Sequence, residues 1–300
     1  MNLSLRRLFL LATLFVATIG FCSRIVFADD GVSAVILVHG VSASGNPNDK
    51  EDYPYATFDE DFAPNFLPNT IVIHFNWGKP AVTEGSVCVG TRDDLVRGLS
   101  DRGWRAVAKL KDVVARTREA LRDQGKITIL SHSQGTVVAL AAIQEGARVD
   151  NWILMGSPLN GSNLLAGYYN TRFDKAFNNV RNAIVNLSST EDDVVGSLNS
   201  DSIGYAGLPN RLLNLGLCDQ GTDGSFKRWK VGQKNVYSIP FNGTDHFKAK
   251  GWWSLSWTSE EWPSDFTRND FIALLNGRRA TSTVKHELDD VEALASAPFE

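Results

Sequence analysis

The chain has no run of lysine or arginine long enough to follow a phosphate backbone, and no Gly-x-Gly-x-x-Gly fingerprint at the end of a strand. The first absence excludes nucleic acid as a partner, and the second excludes a dinucleotide cofactor bound in the usual way. No His, Cys, Asp and Glu cluster stands at metal-ligand spacing, so neither a metal nor any other cofactor is expected. Cysteine is scarce, with three in 300 residues. Internal repeats and a second domain boundary are also lacking. What remains is 43% hydrophobic, enough to bury a large core in one α/β domain, with 30 basic against 34 acidic residues.

The first residues stand outside the fold. "MNLSLRRLFLLATLFVATIGF" puts Arg6 and Arg7 ahead of an apolar run, and small residues lead to "VFA" before "DDG". This layout predicts a secretory signal over residues 1–28, cut after Ala28, and a secreted or periplasmic protein. A retained membrane anchor is the alternative, because the apolar run approaches the length of a span. Cleavage would remove Arg6, Arg7 and Arg24 and leave 27 basic against 34 acidic residues, a net charge of −7. It would also remove Cys22. Cys88 and Cys218 would then either pair in an oxidising compartment or stay as two unrelated buried thiols, and the sequence leaves both open.

Beyond the leader, strands alternate with helices. "SAVILVHG" (33–40), "TIVIHFNW" (70–77), "KITILSHS" (126–133), "VDNWILMGSP" (149–158), "NAIVNLSS" (182–189) and "KNVYSIP" (234–240) read as buried strands. Residues 104–123 carry Val107, Leu110, Val113, Val114, Thr117 and Leu121 at helical spacing, and residues 134–147 are helical and nearly all apolar. Residues 264–277 read as a last helix ending at Gly277. Residues 42–69 read as a polar loop. Its acidic part, 48–62, reads as a solvated face rather than a cation site. The alternation predicts a doubly wound, mostly parallel sheet with helices on both faces, over residues 29–278. Residues 279–300 read as a charged, loosely held tail.

In such a fold ligands bind outside the carboxyl ends of the strands. One of those ends is "SHSQG" (131–135). A sharp strand-to-helix turn there needs small residues two before and two after its tip, and Ser131 and Gly135 are small. The tip is Ser133, aimed into the cleft. The N–H of Gln134 would stand at a helix N-terminus, suited to a developing oxyanion. The rival reading makes Ser133 a structural serine on a helix N-cap.

This turn resembles the nucleophile elbow of the α/β-hydrolase family, with Ser131 in place of the first glycine of its usual Gly-x-Ser-x-Gly. The resemblance spans residues 33–277. It implies a Ser-His-Asp triad in the chain order nucleophile, acid, histidine. Asp192, in "STEDDVVG" after the fifth strand, matches the acid, with Asp193 as the alternative and Glu191 behind both. His246, in "FNGTDHF" after the last strand, matches the base. The second oxyanion donor would be the N–H of Val41 after "HG" at 39–40, or that of Ser42. His39 itself reads as a packing and hydrogen-bonding residue.

In this family a lid follows the fourth strand, which points to residues 159–180. Leu164, Leu165 and Tyr168 there would bind an acyl or aromatic group, although half of such residues would simply pack the lid down. The four tryptophans of "GWWSLSWTSEEW" (251–262) could line the acyl pocket or touch a membrane surface, but read better as buried structural aromatics. The implied activity is serine hydrolysis of carboxylic esters, esterase- or lipase-like, with an ester or lipid small molecule as substrate. An acyltransferase with the same triad and a non-catalytic lipid-binding or interaction protein on the same scaffold are the alternatives. The oligomeric state is not legible.

Overall fold

The computed structural model describes residues 31–41, 45–48, 53–56, 58–78, 99–122, 124–159, 176, 178–189, 227–231, 234–241 and 266–297. The segment expected to be a leader (1–28), most of the segment expected to be a lid (159–180), Cys88, Cys218 and the tryptophan-rich stretch lie outside them.

Among the described residues, seven strands form one sheet: β1 (Ser33–Val38), β2 (Thr70–Phe75), β3 (Lys126–His132), β4 (Val149–Met155), β5 (Val180–Ser189), β6 (Lys227–Val231) and β7 (Lys234–Phe241). Their order is β2-β1-β3-β4-β5-β7-β6. Every pair is parallel except β6 with β7. A strand covered on both faces can carry an unbroken apolar run, and every residue of β1 and β4 is buried. The strands expected from the sequence are all present, and β6 is an addition. "KRWKV" has too many charges to read as a strand. Its place is set by antiparallel pairing with β7, in which Val231 faces Lys234.

Helices cover both faces, as expected. On one side lie α2 (Asp101–Ala120), α3 (Gly135–Gln144) and α5 (Ser282–Ser296); on the other lie a single π-helical turn (Phe58–Phe62), α1 (Ala63–Phe66) and α4 (Arg268–Leu275). Helix α2 starts three residues earlier than its apolar stripe suggests. The Ser100 hydroxyl caps it by accepting the Gly103 N–H at 3.2 Å, and Asp101 adds negative charge to the first turn. Helix α3 is buried from Gly135 to Ile143, which is why it shows no polar face. Helix α4 opens with a capping box between Thr267 and Asp270.

Two expectations are corrected. The acidic stretch 48–62 is not simply a solvated face: Tyr53, Tyr55, Phe58 and Phe62 are buried against the sheet. Acidic residues alternate with these aromatics and mask them in the sequence. The tail beyond Arg278 is not loose either. Residues Ser282–Ser296 form α5, with Thr281 capping its start and Leu288, Val291 and Ala295 buried. Helix α5 closes the free edge of β2. The His74 N–H donates to the Glu292 carboxylate at 2.7 Å, and the Asn76 N–H donates to the Ala295 carbonyl at 2.9 Å. An edge strand left open would offer these donors to another chain. Lys109 on α2 completes the joint by donating to the Asn76 and Ala295 carbonyls, both at 2.9 Å, where a cation suits the end of a helix.

Candidate active site

The turn between β3 and α3 holds Ser133 at φ +51°. A non-glycine residue in this left-handed region costs about 1–2 kcal/mol, so it persists only where its surroundings fix it. Three hydrogen bonds do so here. The Ser133 N–H donates to the Met155 carbonyl at 2.9 Å, at the end of neighbouring β4. The Ser133 carbonyl accepts the Thr136 N–H at 2.9 Å and the Thr136 hydroxyl at 2.7 Å. Thr136 is fully buried in an apolar helix. Its oxygen in turn accepts the Ser157 hydroxyl at 2.8 Å, and Ser157 accepts the Leu159 N–H at 3.3 Å. The directions follow from counting protons: the Thr136 proton is committed to the Ser133 carbonyl, so Ser157 must donate. The resulting chain ties the turn to the segment leaving β4. Sequence reading missed it, although a threonine in the first turn of an otherwise apolar helix was a visible signal.

Steric room explains the small neighbours. A methyl group on Gly135 would lie 2.4 Å from the His39 carbonyl oxygen and 2.5 Å from that of Val38. One on Gly40 would lie 2.7 Å from Ser133 Cβ and 3.2 Å from its Oγ. The end of β1 and the turn therefore touch through two glycines. Ser131 departs from glycine for a local reason. Its buried hydroxyl donates to the Ile153 carbonyl and accepts the Trp152 indole N–H, each at 3.0 Å, and so satisfies a tryptophan inside the core.

Ser133 is 9% exposed. Gln134 follows in helical conformation at the start of α3, where the N-terminal N–H groups carry partial positive charge. Val41, half-buried, follows Gly40 directly. The two expected oxyanion donors thus belong to segments in contact. His39 stands two residues before Val41 but has a different task. One ring nitrogen is 2.8 Å from the Gly40 carbonyl, and the other accepts the Trp77 N–H at 3.3 Å. The Trp77 indole donates back to the His39 carbonyl at 2.9 Å. Burial pushes the His39 pKa down to about 4, so it is neutral at pH 7 and fully engaged in structure.

Asp192, Asp193 and His246 lie outside the described residues, as do Leu164, Leu165 and Tyr168. The strands that lead to the acid and the base are described. β5 and β7 are parallel neighbours in register from Ala183–Asn235 to Ser189–Phe241. Their carboxyl ends, from which the chain runs on to Asp192 and to His246, emerge at the same rim as Ser133. Among the described residues, no group of three or more His, Cys, Asp and Glu is placed to hold a metal ion, and no helix is long and apolar enough to cross a membrane.

A seven-stranded, mostly parallel sheet with a left-handed serine between a central strand and a buried helix defines the class: this is the α/β-hydrolase fold. A family model described as alpha/beta hydrolase matches residues 96–168, which include that turn. Solved structures resemble the chain more distantly. A Thermus thermophilus protein is 14% identical with a TM-score of 0.42, over 73% of this chain and 83% of its own. Dienelactone hydrolase from Anabaena variabilis is 14% identical with a TM-score of 0.41, over 74% and 80%. The Pyrococcus furiosus esterase Pf2001 is 13% identical with a TM-score of 0.40, over 77% and 81%. No curated protein matches the chain.

Proposed function

We propose that the protein is an exported serine hydrolase of carboxylic esters. Ser133 attacks the ester carbonyl, and His246 takes the hydroxyl proton while Asp192 orients the imidazole and stabilises its cation. The tetrahedral oxyanion is held by the N–H groups of Gln134 and Val41. His246 then returns its proton to the leaving alcohol. A water molecule, deprotonated by the same imidazole, releases the acid and restores Ser133. Leu164, Leu165 and Tyr168 contact the acyl group. The observation that carries this reading is the backbone of Ser133, left-handed and clamped by three hydrogen bonds, with Gly40 packed against its side chain. An N-cap serine does not need that conformation, because capping residues adopt extended backbone.

A fluorophosphonate probe tests the nucleophile. Wild-type protein should be labelled, and Ser133→Ala should not. Hydrolysis of p-nitrophenyl esters of increasing acyl length should be lost in His246→Ala and strongly reduced in Asp192→Asn. Full labelling of Ser133→Ala would remove the serine from the chemistry. Full turnover by His246→Ala would remove the base.

A further inference from the structure

At the opposite rim of the sheet, where β4 and β5 begin, lies a cavity of about 620 Å³ lined by Arg118, Arg148, Val149, Asp150, Asn178, Asn179, Val180 and Arg181. Three arginines and one aspartate are thus among the described residues that line it. The carboxylate is already committed. Asp150 is buried, and one of its oxygens accepts both the Arg118 guanidinium at 2.7 Å and the Ile127 N–H at 2.8 Å. Its other oxygen is 3.9 Å from Arg181, on a side chain that is 77% exposed. Arg118 is fixed further by donating to the Gly125 carbonyl at 2.6 Å. Asp150 therefore holds Arg118 closely and reaches Arg181 only at 3.9 Å, so one carboxylate is shared and the arginines lining the cavity outnumber it by two.

A concave, cationic wall on a chain whose charge is otherwise net negative concentrates anions. Guanidinium groups present paired N–H donors that match the oxygens of a phosphate group, and an excess of two positive charges matches a phosphate dianion. The Asn178 and Asn179 side chains add neutral polar groups to the same wall. Asn179 is held in place by donating to the Ile143 carbonyl at 2.7 Å. We infer that this cavity is a binding site for a phosphate group, gripped by Arg148 and Arg181 above the fixed Arg118–Asp150 pair. Strand β4 spans seven residues, so the site lies roughly 20 Å from the Ser133 rim. A ligand there leaves the ester site open, and the inference does not depend on Ser133 being a nucleophile.

The test is titration calorimetry of the full protein with inorganic phosphate at low ionic strength. A second arm measures sedimentation with vesicles of phosphatidylcholine alone or with added phosphatidic acid. Wild type is expected to bind, and Arg148→Gln/Arg181→Gln to bind at least tenfold more weakly. Both arginines are exposed, so the double variant should keep the wild-type melting temperature and p-nitrophenyl ester turnover. Binding of free phosphate with no sedimentation identifies a soluble phosphorylated ligand. Sedimentation only with phosphatidic acid identifies a lipid headgroup. Absence of binding in both arms, or equal binding by the double variant, overturns the site.

Discussion

Replacing Gly135 by alanine sets two effects against each other at one position. Gly135 is the first residue of α3, and alanine favours a helix over glycine by about 1 kcal/mol. On propensity alone the variant should be more stable. The added methyl group, however, would stand 2.4 Å and 2.5 Å from the carbonyl oxygens of His39 and Val38. These are backbone atoms at the end of a strand paired on both sides, and the Val38 carbonyl also accepts the buried Tyr55 hydroxyl at 2.8 Å. Neither oxygen can swing aside as a side chain would. Either α3 moves away from the sheet or β1 distorts, and overpacking of this kind costs about 1–3 kcal/mol or more. Strain should win, leaving a net loss of about 2 kcal/mol and a melting temperature lower by roughly 4–8 °C for a domain of this size. Because α3 carries Gln134 and orients Ser133, probe labelling at Ser133 should fall as well. Urea denaturation and labelling rate are the assays. A Gly135→Ala protein as stable as wild type would refute the claim that contact between this turn and β1 dictates glycine.

Two further variants separate the clamp from general packing. Thr136→Val keeps the shape but removes the hydroxyl, leaving the Ser157 proton without its acceptor. It should lower stability by about 1–3 kcal/mol and slow acylation of Ser133, whereas Thr136→Ser should retain both; equal behaviour of the two variants would exclude the hydroxyl as the cause. Glu292 tests the covered sheet edge. Burial raises its pKa from 4.5 to about 7, assisted by Asp59 and Asp289 and opposed by the bond from the His74 N–H. A carboxyl raised in the folded state holds its proton where the unfolded chain has lost it, so its contribution to stability falls as pH rises between those two values. Glu292→Gln keeps an acceptor for His74 and removes the titration. Its stability relative to wild type should therefore improve between pH 4.5 and pH 8, as followed by urea melts, and a constant difference would contradict the assignment.

The parts of the fold legible in the sequence are those where one physical signal dominates. β1, β3 and β4 announce themselves because a strand covered on both faces needs no polar residue. The elbow announces itself because a left-handed tip between a strand and a helix demands small neighbours. Where signals conflict, the pattern fails. Phe58 and Phe62 sit among Asp59, Glu60 and Asp61, and the charges conceal two buried rings. Helix α5 carries a narrow stripe of Leu288, Val291 and Ala295 within a polar segment; its partner is the far edge of the sheet, which no local pattern reveals. β6 depends wholly on β7. At the site, Ser133, Gln134 and Gly40 were legible because neighbours in sequence fix the turn. The Thr136–Ser157 link was not, because Ser157 reaches it from the segment that leaves β4.

The bond between His74 and Glu292 joins residues 218 positions apart. During synthesis, therefore, the second strand must wait with its outer donors exposed until the final helix has been made. A chain interrupted before Ser282 would present an open strand edge to every other copy emerging beside it. Aggregation is the expected fate of such fragments.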